Sequence, residues 1–270
     1  VTPIRTKDFE WNINLNLTHY KNKVTYLPEE RKTMECSGVK GFSSGSYYYG
    51  EGISLYTFKM KQYAGVDPET GEALYYQDVL DEKGNVTGRT KTAAYNSATD
   101  YLCGTALPDV YGGFGTSLSW KGFDLSVDFG YQIGGQVYDG DYASLMSSPR
   151  SSSKGQNFHK DLLNAWTPEN KNTNIPRFQT EDVYTTSSSD RFLTDASYLS
   201  LQNVNFGYTM PVSLTRKAQI ENVRFYVSAD NLFVWSQRKG LDPRQSITGS
   251  VTNSYYAPIR TVSGGVTLTF

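Results

Sequence analysis

The chain has 270 residues, with 26 Lys and Arg against 27 Asp and Glu for a formal net charge of -1, so it offers no basic stripe to neutralise phosphates and nucleic acid is not indicated as a partner. Hydrophobic residues reach only 38% while aromatic residues reach 14%; the lack of a long apolar run excludes a transmembrane helix but not a barrel, whose strands alternate. Cys36 and Cys103 lie far apart and outside any CxxC spacing, which argues against a disulfide framework or a zinc knuckle and leaves a single bridge between them open.

Period-two alternation is the main signal along the chain. Phe9, Trp11, Ile13, Leu15 and Leu17 alternate with Glu10, Asn12, Asn14 and Asn16, giving a strand with one apolar and one hydrophilic face. Residues about 20–51 follow as a long connection. Within it, Gly41-Phe42-Ser43-Ser44-Gly45 matches the G-x-S-x-G pattern of a nucleophile elbow, which needs a helix after the serine. Ser46, Tyr47, Tyr48, Tyr49 and Gly50 follow instead, and His19 and His159 have no triad-like context, so no catalytic residue is expected. Residues about 52–63 are mixed and count as a further strand.

Gly65-Val66-Asp67-Pro68-Glu69-Thr70-Gly71 leads into Ala73-Leu74-Tyr75-Tyr76 and predicts a hairpin, with a second turn at Asp81-Glu82-Lys83-Gly84-Asn85. The spacing of Asp81 and Asn85 is not that of a calcium loop, and no metal or other cofactor is expected. Phe114, Leu118 and Trp120, then Phe123, Leu125, Val127, Phe129, Tyr131 and Ile133, form two strands joined by a tight turn at Lys121-Gly122. Phe158, Leu162, Leu163 and Trp166 fall at helical spacing before Pro168 and predict a short amphipathic helix. Over 198–209 the apolar frame moves from Leu199 and Leu201 to Val204, Phe206 and Tyr208, which reads as a bulge. Two more alternating stretches, Val223 to Ala229 and Val262 to Phe270, bring the set to seven strands.

These strands run to about 10–12 residues, close to the 9–11 that cross a bilayer, whereas soluble strands average about 5–6. Short connections at Lys121-Gly122 and Pro211 to Lys217 contrast with long ones at about 64–110, 136–196 and 232–258, the outer membrane pattern in which the long loops face outward. On that alternation the stretch 20–51 becomes an unusually long periplasmic connection. The predicted fold is an all-β, transmembrane antiparallel β-barrel portion with long extracellular loops. A β-sandwich that buries the same apolar faces between two sheets is the alternative. Trp11 and Trp120, on apolar faces, suit a membrane interface; Tyr47, Tyr48, Tyr49, Tyr255 and Tyr256 lie in connections, where rings can also stack on ligands.

Two stretches carry a family likeness. Arg191-Phe192-Leu193-Thr194-Asp195-Ala196-Ser197-Tyr198-Leu199-Ser200-Leu201-Gln202-Asn203-Val204 with Gly207-Tyr208-Thr209-Met210-Pro211, and Val223-Arg224-Phe225-Tyr226-Val227-Ser228-Ala229-Asp230-Asn231-Leu232-Phe233-Val234-Trp235 with Gly240-Leu241-Asp242-Pro243, resemble the C-terminal barrel part of SusC/RagA-type TonB-dependent outer membrane proteins. Ala64 to Gly71, Pro108 to Gly113, Trp166 to Asn170 and Pro176-Arg177 resemble it too, so the likeness covers nearly the whole chain.

The resemblance implies one stretch, 1–270, of a plugged barrel of about 22 strands in the outer membrane of a Gram-negative bacterium. It also implies import of glycans, oligosaccharides or peptides with TonB-coupled energy and a SusD-like lipoprotein lid. No plug domain, TonB box or carboxypeptidase-like extension is found in the sequence, and Val1-Thr2-Pro3-Ile4-Arg5 shows no charged n-region or apolar h-region, as expected where a signal was removed or where the sequence starts in mid-protein. Seven strands in lipid would leave two unsatisfied edges, so the remaining strands and the plug are expected from residues preceding Val1. Asn12, Asn14, Asp124 and Asp128 are expected to hydrate the lumen. Trp166, Arg177, Asp242, Tyr255 and Tyr256 are the candidate substrate contacts, and Phe270 resembles the terminal assembly signal of such barrels. Two other readings stay open: a secreted or surface β-sandwich that binds glycans through tyrosine-rich loops, and a passive porin.

Overall fold

The computed structural model describes residues 1–149, 155–182, 187–251 and 258–270. Seven antiparallel strands form a meander in chain order: β1 (Ile4–Arg5), β2 (Phe9–His19), β3 (Val110–Trp120), β4 (Phe123–Ile133), β5 (Tyr198–Thr209), β6 (Asn222–Ser236) and β7 (Thr261–Thr269). Branched and aromatic residues at every second position suit a pleated strand, and the alternation fixes which face each one takes. At the β3–β4 turn Lys121 has φ 48° and Gly122 φ 90°, the pair of positive values that a two-residue type I′ hairpin needs.

Register places the apolar residues of neighbouring strands abreast. Phe9, Trp120, Phe123, Tyr208, Phe225 and Val266 form one row, and Leu17, Tyr131, Leu199 and Trp235 belong to another. On β2 these rows are eight residues apart, about 27 Å along the strand at 3.4 Å per residue, which strand tilt reduces to about the height of a barrel's apolar band. Nothing among the described residues covers this face: Leu15 is 69% exposed, Trp235 52% and Val262 67%. An opposing sheet, which the sandwich alternative requires, is absent among the described residues. The bulge falls at Gln202, where the pairing of β5 slips against both β4 and β6. It moves the apolar frame between Leu201 and Val204 without breaking the sheet.

The buried core lies elsewhere. The largest fully buried side chains include Tyr48, Phe58, Tyr75, Val137, Met146 and Phe192, all in the long connections 20–109, 134–197 and 237–260 at one end of the wall. Short connections occupy the other end. Connection 20–109 forms a five-stranded sheet (Met34–Cys36, Val39–Ser44, Tyr47–Gly50, Thr57–Lys61 and Asp100–Thr105) and a three-stranded one (Tyr63–Val66, Ala73–Leu80 and Val86–Thr92). The other two connections meet where Gln136–Asp139 pairs with both Leu193–Asp195 and Ser250–Val251. The Tyr47 hydroxyl donates to the Thr248 carbonyl at 2.6 Å and the Tyr95 hydroxyl to the Ser188 carbonyl at 2.7 Å, so the three connections interlock as a cap.

Several expectations need correction. Residues 52–63 supply no wall strand: Thr57–Lys61 belongs to the five-stranded cap sheet, and the short β1 is the seventh strand of the wall. Phe58 and Met60 are buried in the cap core, so that stretch never shows the one-sided pattern of a strand in lipid. The stretch 20–51 is consequently part of the long connection 20–109 and stands at the long-loop end. The connection expected over 64–110 begins 44 residues earlier, at 20, while the other two span 134–197 and 237–260 where 136–196 and 232–258 are expected. The helix expected over 158–166 shrinks to a 3-10 turn, Lys160–Asn164, with Leu163 left 89% exposed. Trp166 is drawn away by its amide, which donates to the Ile175 carbonyl at 2.9 Å. Both hairpins over 63–92 form as expected; the G-x-S-x-G stretch is itself a hairpin, with Ser43 paired to Tyr48. Cys36 and Cys103 are both free thiols.

Candidate functional site

The second face of the wall is polar and built by register. Asn14, Gly115, Asp128, Asn203, Asp230 and Thr261 form one row, in which Asn203 Nδ2 donates to Asp230 Oδ1 at 2.7 Å. Toward the short-turn end, Arg224 on β6 reaches across β5 to Asp124 on β4: Nε donates to Oδ1 at 3.1 Å and Nη2 to Oδ2 at 2.6 Å. Gly207 on the intervening strand makes this possible, because a Cβ there would stand 2.6 Å and 2.7 Å from the two Asp124 oxygens. Such a forked pair is among the stronger charge-assisted contacts. It holds three neighbouring strands together on the wet side of the wall.

Where the polar face meets the cap, a cavity of about 300 Å³ opens. Its floor is the register row Tyr111, Gln132 and Tyr198, and its roof includes Arg244 and Ser246. Tyr20 closes one side, its ring edge-on to Tyr111 at 6.1 Å. Arg244 is held in place by Asp242, whose Oδ1 accepts from Nε at 2.8 Å and whose Oδ2 accepts from Nη2 at 2.7 Å. Burial raises the Asp242 pKa, but hydrogen bonds from Arg244 outweigh it and hold the carboxyl below its ordinary range. The same hydrogen bonding raises the pKa of Arg244 above its ordinary value. Tyrosine faces beside amide, hydroxyl and guanidinium groups suit a neutral, hydroxyl- or amide-rich solute.

The structure distributes the sequence candidates unevenly. Trp166 and Arg177 come together, but as a clamp on one turn: Trp166 Nε1 donates to the Pro68 carbonyl at 3.2 Å, while Arg177 reaches the Thr70 carbonyl at 3.0 Å and Glu72 Oε1 at 3.1 Å. Gly71, at φ 74°, sits beneath the indole, and a Cβ there would overlap the ring. Gly71→Ala is therefore expected to destabilise this turn by about 1–3 kcal/mol. Faster hydrogen exchange at the Arg177 amide, which donates to the Gly71 carbonyl at 2.8 Å, checks it. Asp242 acts through Arg244, and Tyr255 and Tyr256 lie outside the described residues.

Trp11 lies on the bare apolar face with its Nε1 donating to Thr116 Oγ1 at 2.8 Å, a bond that the ring's N–H needs where water is excluded. Trp120 lies in the row nearest the short turns, with Lys121 Nζ 5.6 Å from its ring centre, and Phe270 is 83% exposed beyond the end of β7. Sequence reading missed Tyr20, Tyr111, Gln132, Tyr198 and Arg244. Of these, only Arg244 carried a usable signal, two residues after an acidic candidate and able to close an ion pair with it.

No family model matches the chain. It is 28% identical over 293 residues to the TonB-dependent receptor P3 of Formosa agariphila, covering 99% of this chain and 27% of that protein. To the TonB-dependent receptor SusC of Bacteroides thetaiotaomicron it is 26% identical over 277 residues, covering 99% of this chain and 25% of that one. Among solved structures, the RagAB peptide transporter aligns over the whole chain and 28% of its own, with 28% identity and a TM-score of 0.77. The RagAB peptide importer in its closed-closed state gives 27% identity over the whole chain and 28% of its own, with a TM-score of 0.79. Over its whole length the chain is similar to SusC/RagA-type TonB-dependent receptors. In such a receptor the bare apolar face lies against the lipid of the outer membrane and the polar face lines the barrel interior. The segment spans about a quarter of the length of the curated relatives it matches.

Proposed function

We propose that this segment supplies part of the wall, the lumenal surface and the outer cap of an importer that takes up glycans, oligosaccharides or peptides with TonB-coupled energy and a SusD-like lipoprotein lid. The observation that carries the reading is the division of chemistry across one sheet: an uncovered apolar face, a polar face that carries the Arg224–Asp124 pair with Asp128 and Asp230, and a soluble-type core confined to the cap. The three long connections stand on the outer side, and a plug and the remaining strands come from other parts of the receptor. A solute arriving beneath the cap meets Tyr111 and Tyr198, whose rings give it a place to rest before the plug moves. The relatives are transporters or receptors, and catalysis is no part of this reading.

The test is uptake in cells that carry the intact receptor. Collapsing the proton gradient is expected to abolish it, whereas a passive pore would continue to conduct. Tyr111→Ala combined with Tyr198→Ala is expected to weaken substrate capture about tenfold, the scale of two lost aromatic contacts, with barrel assembly unchanged on a heat-shift gel. Unchanged capture by that variant would remove the cavity from the transport path. Competition between an oligosaccharide mixture and a peptide mixture for uptake separates the two substrate classes.

A further inference from the structure

The outer face of β2 does not end where its strand ends. Trp11, Ile13, Leu15 and Leu17 point toward lipid, and the same alternation carries on through His19, Lys21 and Lys23, all three exposed. The intervening residues hold the segment in that phase. Tyr20 packs against Tyr111, and Asn22 Oδ1 accepts from Ser54 Oγ at 2.9 Å and from the Leu55 amide at 3.1 Å. The Val24 amide donates to the Ile53 carbonyl at 2.8 Å. An apolar ladder thus turns into a basic one at the height where the bilayer's hydrocarbon gives way to headgroups.

The three basic residues line a cavity of about 580 Å³ together with the hydroxyl-bearing Ser54 and Thr105 and with Asp109. His19 Nδ1 lies 2.7 Å from the Asp109 carbonyl oxygen; since that oxygen only accepts, Nδ1 carries the proton and the ring is fixed. Several cations in the cap face carboxylates, as Arg177 faces Glu72 and Lys59 faces Asp100. Lys21 and Lys23 have no such partner among the described residues, and an ammonium left free at the end of a lipid-facing row attracts an anion delivered by the membrane.

We infer that His19, Lys21 and Lys23 form a binding site for the phosphate-bearing headgroup of an outer-leaflet lipid, whose acyl chains lie along Leu15 and Leu17. This rests on the long connections being at the outer surface. The lipid anchors the base of connection 20–109, whose residues 20–24 link the wall to the five-stranded sheet.

The intact receptor in nanodiscs, titrated with phosphorylated lipid A and read by native mass spectrometry, tests it. Lys21→Gln with Lys23→Gln is expected to weaken lipid retention about thirtyfold, while Lys7→Gln at the opposite membrane surface leaves it unchanged. Equal retention by the double variant would overturn the site. So would equal retention of dephosphorylated lipid A by the unaltered receptor, which would leave only apolar contact. Displacement of the lipid by millimolar inorganic phosphate would overturn the lipid assignment in favour of a soluble anion. Substrate uptake is measured in parallel, so that a failure of the transport reading is distinguishable from a failure of the lipid site.

Discussion

Val127→Lys is expected to cost the folded barrel about 2–4 kcal/mol, whereas Ser126→Lys, one residue away, is expected to cost less than about 1 kcal/mol. Val127 lies in the middle apolar row with Ile13, Thr116, Val204, Ala229 and Val262. Of the lipid-facing positions it is among those farthest from either water surface, so a lysine there could not extend its ammonium to a headgroup without distortion. Ser126 faces the interior beside Ser117 and Asn205, where a cation meets water and polar side chains. Thr116 shares the costly row and shows what polarity requires there: its hydroxyl donates to the Asn12 carbonyl at 3.2 Å and accepts from Trp11 Nε1 at 2.8 Å. Urea titration of the intact receptor folded into vesicles measures both variants. Equal costs for the two would mean that the apolar face does not meet hydrocarbon.

Much of the wall was legible in the sequence because a strand in lipid has a simple rule. Each alternate residue is expected to be apolar, and β2 and β4 obey the rule closely, while β3 places Gly112 and Thr116 and β7 places Gly264 on that face. The bulge at Gln202 was legible for the same reason, since a shift of one residue moves every later side chain to the other face. The cap was less legible. Thr57–Lys61 reads as Thr, Phe, Lys, Met and Lys, an alternation that a wall strand could also carry; only its neighbours show that Phe58 and Met60 serve a water-surrounded core.

Site residues were hardest to find because register, not spacing, assembles them. Tyr111, Gln132 and Tyr198 lie on three different strands and become neighbours only once the pairing is known. Arg224 is a similar case: its position within an alternating strand marks it as facing the interior, but its use depends on Gly207 leaving room to reach Asp124. Trp166 and Arg177 were noticed for their residue type, and the type was spent on packing Gly71. A tryptophan or arginine in a loop does not announce whether its partner is a ligand or the loop itself.

Arg238→Ala is expected to destabilise the cap by about 3–5 kcal/mol, because it strands a buried carboxylate. The Asp139 side chain is only 4% exposed. Its Oδ1 accepts from the Tyr142 amide at 3.0 Å, capping the helix Gly140–Leu145, and its Oδ2 accepts from Arg238 Nε at 2.8 Å and also from Nη2. The guanidinium also lies 4.7 Å from the centre of the Tyr142 ring, whose hydroxyl donates to Asp161 Oδ2 at 2.8 Å. One ion pair therefore ties connection 237–260 to connection 134–197 beside the strand Gln136–Asp139. Next to it the Tyr138 amide donates to the Gly249 carbonyl at 2.7 Å, and Gly249 lines the cavity over Tyr111 and Tyr198.

Loss of the arginine should loosen that roof locally and leave the wall intact, since the wall's ladder of hydrogen bonds is separate. Hydrogen exchange should quicken at Gly140–Leu145 and at Gln136–Asp139 while β3 and β4 stay protected. The double variant Asp139→Asn with Arg238→Met should recover most of the loss. Its amide oxygen still accepts from Tyr142, a cap worth about 1 kcal/mol, and no charge is left buried without a partner. If the double variant were as unstable as Arg238→Ala, packing of the arginine stem, and not the carboxylate it neutralises, would be what holds the two connections together.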